Sequence, residues 1–436
     1  AEYISYDDAS MFHHHALRLV LATAFLSQTV AQAEPLPIVP AAQTGLDASR
    51  LARIERQMTA QVEANRLSGG IGLIARNGKI GYFQTYGYMD VASQKPMRKD
   101  AIFRIYSMTK AITGVAVMML YEEGRFHLNE PVSKYLPEWA DMRVAMETKD
   151  PTTGKRVAYT VPAERKITIR DLLRHTSGID YQGPVDEKGS PVYMQLKVND
   201  PAIDLAEASR RLAKAPLLHH PGTTYHYGLS IDILGRLVEV ASGQPLDQFF
   251  EERIFKPLGM IDTAFYVPEA KWDRLVTLYA PKSDGTIDIF KGAPQESYKK
   301  KPNAFMGGQG LASTAIDYAR FCQMLLDGGK AEGKRLLSRK TVDLMSSDHL
   351  GDLPRVAAMG AIPQGYGFGL TFAVNKGPGM TGAIGSQGEY NWGGAAGTRF
   401  WIDPKENLIG VFMMNTLPPQ IEVGGEFKQL VYQALE

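Results

Sequence analysis

The chain has 436 residues, 44% hydrophobic and 22% charged, an ordinary composition for a globular protein long enough to bury a sizeable core. Its 48 basic and 47 acidic side chains leave a net charge of +1, which gives no reason to expect nucleic acid or another polyanion as a partner. The one cysteine, Cys322, excludes an intrachain disulfide and reads as a small buried hydrophobe in Tyr318-Ala-Arg-Phe-Cys322-Gln-Met-Leu-Leu326.

In chain order, the first feature is a leader over residues 1–45. Met11 opens a stretch with His13 to His15 and Arg18, followed by the apolar run Leu19 to Leu26 and by Ala31-Gln-Ala33. That pattern suits a signal peptide over 11–33, cleaved before Glu34, and a periplasmic or secreted address. Residues 1–10 precede this start and read as vector-derived, and Pro35 to Pro40 reads as a linker. No stable membrane insertion is expected once the leader is removed.

Leu51 to Val62 has helical periodicity, and the run around Asn77-Gly78 predicts a β-hairpin, because Asn-Gly supplies the two positive φ angles of a tight turn. Ser107-Met-Thr-Lys110 then opens a stretch that is almost wholly apolar or small as far as Leu120. This predicts a buried helix, too short to span a membrane. Ser107 and Lys110 are three apart and face the same way. A buried lysine is costly unless it is paired or its pKa falls, and a serine beside an amine of lowered pKa is an activated nucleophile. Ser297-Tyr-Lys-Lys300 repeats the spacing within a polar run that reads as a solvated loop, so context distinguishes Ser107.

From about residue 125 to 300 strand signals fade. Thr168-Ile-Arg-Asp171 predicts a capping box opening a helix that stops at Gly178, and Ile231 to Ala241 predicts another helix, ended by Gly243. Ala315 to Leu326 is helical. Strands return at Gly365 to Val374, Thr398 to Ile402 and Leu408 to Asn415, the last two joined by a hairpin loop, and Gly425 to Leu435 closes as an amphipathic helix. The order implies an α+β, sandwich-like fold: an antiparallel sheet built from both chain ends (46–125 and 300–436), flanked by terminal helices, with a mainly helical region (126–299) inserted. A cleft between the two regions is the expected site.

Phe103 to Lys110, Leu128 to Pro137, Ile169 to Gly178 and Gly307 to Thr314 together resemble the serine β-lactamase-related hydrolases, which include class C β-lactamases, DD-peptidases and family VIII carboxylesterases. The resemblance runs in order over roughly residues 50–436. It implies the β-lactamase/DD-peptidase-like fold, Ser107 and Lys110 as the Ser-x-x-Lys nucleophile motif, and Tyr227 as the catalytic tyrosine. Class C enzymes carry Tyr-x-Asn where this chain has Tyr227-Gly228-Leu229, and Lys-Thr-Gly or His-Thr-Gly where it has Trp392-Gly393-Gly394. A Trp-x-Gly there is similar to the family VIII esterases. The family's geometry also implies an oxyanion hole from the backbone N–H groups of Ser107 and Ala395. Loss of the amide at Leu229 and of the cation at Trp392 points away from anionic substrates and towards short, neutral acyl esters.

Each residue taken singly also admits an ordinary role: Ser107 as a helix cap, Lys110 reaching solvent, Tyr227 and Trp392 as core aromatics. Together, and in family order, they read as a catalytic set. His175 in His175-Thr-Ser-Gly178 reads as structural. His219 and His220 have no partners at ligand spacing, so neither a metal nor another cofactor is expected. The expected partner is a small-molecule ester. The alternatives are a β-lactamase or D-amino-acid peptidase of the DD-carboxypeptidase type, and a non-catalytic binding protein on the same scaffold.

Overall fold

The computed structural model describes residues 36–186, 190–331 and 333–436. The expected signal peptide lies outside them. Asn77 and Gly78 take the positive φ values, 54° and 73°, that their turn requires, and so join β1 (Gly69–Arg76) to β2 (Lys79–Asp90). β3 (Lys95–Pro96) follows at one edge. The later chain adds β4 (Tyr366–Phe368), β5 (Ala373–Asn375), β6 (Tyr390–Gly393), β7 (Arg399–Asp403) and β8 (Leu408–Met413). The eight form one antiparallel sheet in the order β4-β5-β6-β7-β8-β1-β2-β3, so the two ends of the described chain meet where β8 pairs with β1.

Both faces of the central strands are covered, which is why β8 reads as a continuous apolar run. Ile409, Val411 and Met413 face the main core, and Leu408 and Phe412 face the opposite layer. That opposite layer is α1 (Ala48–Glu63) with the C-terminal helix α6 (Ile421–Tyr432), whose Phe427 stacks on Phe412 at 4.7 Å. The main-core face carries α5 (Ala315–Leu326), with Cys322 fully buried. Next to it lies α2 (Thr109–Glu122), buried from Thr109 to Leu120. Gly114 does not break α2; a Cβ there would collide with Thr371, so it permits close packing. α4 (Ser230–Ser242) packs along α2 and ends at Gly243 in the left-handed conformation. The α+β architecture is therefore present, with helices on both sheet faces. Among the described residues no helix is long and apolar enough to cross a membrane.

Three local expectations need correction. Gly365 to Val374 is two strands, because the chain reverses between them: Gly369 N–H donates to Phe372 O, and Thr371, at φ 80°, donates to Leu173 O. Strands also occur where their signals were faint, as an exposed hairpin (Arg143–Lys149 with Arg156–Pro162) and a shorter pair (Tyr279–Pro281 with Ile287–Ile289). The helix opened by Thr168 is only α3 (Ile169–Leu173), and it stops before Gly178. Ser297 and Lys300 are exposed as expected, although Ser297–Lys299 forms a 3-10 turn anchored by buried Tyr298.

α3 is short because its capping residue also organises the chain beyond it. Thr168 and Asp171 form the expected capping box. Buried Asp171 in addition accepts two bonds from Arg165 (2.6 and 2.9 Å), one from Arg174 (3.2 Å) and one from the Thr176 hydroxyl (2.9 Å). Burial pushes its carboxyl upward, but Arg165 and Thr168 outweigh it and hold it below the ordinary 3.8. A depressed carboxylate gives stability that is complete above that ordinary value and is lost as pH falls through the folded value. Asp171→Asn should therefore cost about 3 kcal/mol at pH 7 in urea denaturation, and its deficit against wild type should shrink below pH 3.8.

Candidate active site

Ser107 lies at the junction of a short strand, Phe103–Arg104, and α2. That strand pairs with Ala312–Ser313, and Tyr106 at φ 40° turns the chain into the 3-10 segment Tyr106–Met108, which continues directly into α2. A non-glycine residue at this φ is strained backbone, held here by the strand on one side and the helix on the other. The Ser107 side chain is partly exposed, whereas Lys110, one turn later, is 1% exposed.

The Lys110 ammonium is fully paired. Its Nζ donates to Gly308 O (2.7 Å), Tyr181 OH (3.0 Å) and Ser107 Oγ (3.3 Å), using all three protons. It also lies 4.7 Å from the centre of the Tyr227 ring. Burial opposes the charge, but Tyr181, Tyr227 and Asp232 outweigh burial and hold the lysine above its ordinary value. Of the two outcomes open to a buried lysine, the structure has pairing rather than a lowered pKa.

Tyr227 enters from the segment leading into α4. Its hydroxyl accepts a hydrogen bond from Trp392 Nε1 (3.1 Å), and the two rings lie 5.2 Å apart. Gly228 is pressed against Asp180 so closely that no side chain would fit there, which brings the Tyr181 and Tyr227 rings within 5.6 Å. His175 holds the other side: its ring centre is 4.6 Å from that of Tyr227, and its carbonyl and Nδ1 accept from the N–H groups of His226 (2.9 Å) and Gly228 (3.4 Å). Burial first, then Lys110 and His226, push this imidazole well below its usual value, so it is neutral at pH 7.

Trp392 and Gly393 end β6, and the chain turns through Gly394 and Ala395 beside the nucleophile turn. A Cβ on Gly394 would strike Ile105 O and the Thr398 side chain, so glycine is what allows this approach. Gly394 N–H donates to Thr398 O (2.7 Å) and Gly397 N–H to Gly394 O (3.0 Å), bypassing the Ala395 N–H. β6 is held from behind by Glu389, fully buried and bonded to Lys428 (2.5 Å) and Tyr432 (2.9 Å) of α6.

The structure thus gathers Ser107, Lys110, Tyr227, Trp392, Gly393, Gly394 and Ala395. Leu229 stands apart: it is 3% exposed, packs in the main core at the start of α4, and donates its N–H to Asp180 O (3.3 Å). Sequence reasoning missed Tyr181, Gly308 and Asp232. Gly228 beside Tyr227 and an aspartate between Ile231 and Ile233 were the available local signals. Among the described residues no group of three His, Cys, Asp or Glu side chains could hold a metal ion.

A family model described as Beta-lactamase matches residues 52–432. The chain is 31% identical to Esterase EstB of Burkholderia gladioli over 392 residues, covering 85% of this chain and 92% of the relative. It is 30% identical to the lovastatin esterase of Penicillium rubens over 387 residues, covering 83% and 92%. Among solved structures, EstCE1, described as a hydrolase with promiscuous acyltransferase activity, matches with a TM-score of 0.71 at 27% identity, covering 89% of this chain and 98% of that one.

The Trp392 indole N–H donates to the Tyr227 hydroxyl, and this contribution can be separated from the bulk of the ring. Trp392→Phe should lower kcat about tenfold, the equivalent of one ordinary hydrogen bond, while the melting temperature changes little. Steady-state kinetics with a thermal melt would check this.

Proposed function

Since the chain belongs to the Beta-lactamase family, we propose that it is a serine carboxylesterase that cleaves short, neutral acyl esters through an acyl-Ser107 intermediate. The observation that carries this reading is the Ser107–Lys110 contact of 3.3 Å, at a partly exposed hydroxyl backed by a fully paired, buried ammonium. Ser107 Oγ attacks the ester carbonyl carbon and gives up its proton to the Lys110–Tyr227 pair. The negative oxygen formed is received by the backbone N–H groups of Ser107 and Ala395; one such donor is typically worth about 10²–10³ in rate. Tyr227 returns the proton to the departing alkoxide, and water then releases the acid from Ser107. Lys110 acts as a fixed positive charge beside the Tyr227 ring, and Tyr227 carries the proton.

The rings of Trp392 and Tyr227 form an aromatic wall that suits an uncharged acyl or alcohol group. A lysine in place of Trp392 would instead pair a substrate carboxylate, so the β-lactam and D-peptide readings have less support. The names of two relatives, both esterases, agree.

The expected behaviour is hydrolysis of p-nitrophenyl acetate and butyrate, with a chromogenic cephalosporin turned over at least 100-fold more slowly. Ser107→Ala should reduce ester turnover by about 10³-fold or more, and a serine-directed phosphonate should add its mass to Ser107. Full esterase activity in Ser107→Ala, or equal turnover of cephalosporin and ester, would overturn the reading.

A further inference from the structure

Asp232, in the first turn of α4, is a buried carboxylate that the mechanism above leaves without a task. It is 4% exposed, and its Oδ1 accepts the Gly308 N–H at 2.8 Å. Its Oδ2 has no hydrogen-bond partner among the described residues. Beside it is a small cavity with a mainly apolar wall that includes Leu205, Leu229, Ile233 and Met306; Asn199 and Ser209 also line it, but neither bonds to Oδ2. A buried carboxylate left so poorly solvated is costly unless a positive charge answers it.

The answering charge is one residue away. Gly308 donates its N–H to Asp232 and accepts the Lys110 ammonium on its carbonyl at 2.7 Å. No side chain fits at Gly308, because a Cβ there would lie 2.5 Å from Asp232 Oδ2. Its neighbour Gly307 accepts the Thr113 hydroxyl of α2 at 2.6 Å, so the 307–308 segment is clamped between α2 and α4. Carboxylate, glycine and ammonium form one connected relay.

We propose that Asp232 is a positioning residue for the reaction, fixing the 307–308 segment and holding Lys110 as an ammonium through turnover. The proposal rests on Ser107 being the nucleophile with Lys110 and Tyr227 as its proton-handling pair. Lys110 is faced by Ser107 at the head of its own helix, by Tyr181 and His175 from the segment after α3, by Tyr227 and Asp232 from α4 and its approach, and by the Gly308 carbonyl. Asp232 is the only carboxylate among them. Asp232 itself is faced by Lys110, the Gly308 N–H and, more distantly, Tyr181; burial raises its carboxyl above the ordinary value, and Lys110 and the Gly308 N–H pull it back towards the charged form.

The sign follows from electrostatics. The acid limb of kcat/KM reports loss of a proton from the fully protonated Lys110–Tyr227 pair. A nearby negative charge favours that more positive form and keeps the limb at higher pH. Asp232→Asn preserves an oxygen for the Gly308 N–H but removes the charge, so the limb should move to lower pH by about one unit. kcat on the pH-independent plateau should fall, because the Gly308 carbonyl that holds Lys110 is no longer fixed by a charged partner.

The test is the pH–rate profile of p-nitrophenyl butyrate hydrolysis by wild type and Asp232→Asn, with phosphonate labelling of Ser107 in both. A shifted limb with Ser107 still labelled supports the proposal. An unshifted limb with Ser107 labelled overturns it and leaves the esterase reading intact, while absence of labelling in wild type removes both. Should Asp232→Asn not fold, the 13Cε resonance of Lys110 in wild type, identified by its loss in Lys110→Arg, decides instead. An ammonium signal that persists above pH 10.5, the ordinary lysine value, supports the proposal, and a neutral-amine signal below it overturns it.

Discussion

An ammonium enclosed in an apolar helix is the constraint around which this protein is organised. Lys110 lies in a stretch whose other members, Thr109 to Leu120, are all buried, and it reaches no water of its own. Each of its protons must therefore find an acceptor from elsewhere in the chain: Ser107 from the turn before α2, Tyr181 from the segment after α3, and Gly308 from the approach to α5. Three segments distant in sequence are thereby required to meet at one atom. Meeting that requirement places a serine hydroxyl, two tyrosines and a carboxylate within one small volume, and the chemistry follows from the packing.

The opposite wall is set by the sheet. β1 and β8 pair across the join of the chain's two ends, which places β6 and its terminal turn alongside the nucleophile turn. Gly394 lets the two backbones approach, with Ile105 and Thr398 closing around the space a side chain would need. Glu389 ties the start of β6 to Lys428 and Tyr432, so α6 on the far side of the sheet helps to hold the strand that carries Trp392. The Ser107 turn is thus fixed from two layers, and Trp392 reaches Tyr227 across the cleft as a consequence.

What was legible in the sequence was mostly local. Asn77-Gly78 and the Thr168–Asp171 capping box are rules of a few residues, and both hold. The apolar run of α2 declared its own burial, and Ser107 and Lys110 with it. What could not be read depends on contacts between distant segments. Tyr181 belongs to the site only because Gly228 allows Asp180 to lie against the Tyr227 segment, and no periodicity encodes that meeting. Leu229 looked like a substitution on the cleft wall, yet the same contact turns it into the core. Gly365 to Val374 alternated well enough for one strand, but the reversal at Gly369–Phe372 is set by bonds to Leu173 and Met345 far away. The exposed hairpin over 143–162 escaped notice for the opposite reason: it buries almost nothing, so it leaves no hydrophobic pattern.

The balance of charge joins the fold to the choice of substrate. Among the described residues the Ser107 cleft has a buried cation, Lys110, and a buried carboxyl group, Asp232, joined through Gly308, and the nearby imidazole of His175 is neutral. The Lys110 ammonium is already engaged by three oxygens, so it keeps no free proton for a second negative charge in the cleft. A carboxylate-bearing substrate would lose its hydration without compensation, whereas an uncharged ester gives up little to reach Ser107. The negative charge that Lys110 can stabilise is the one that develops during the reaction, and an interaction reserved for the transition state raises the rate rather than merely tightening binding.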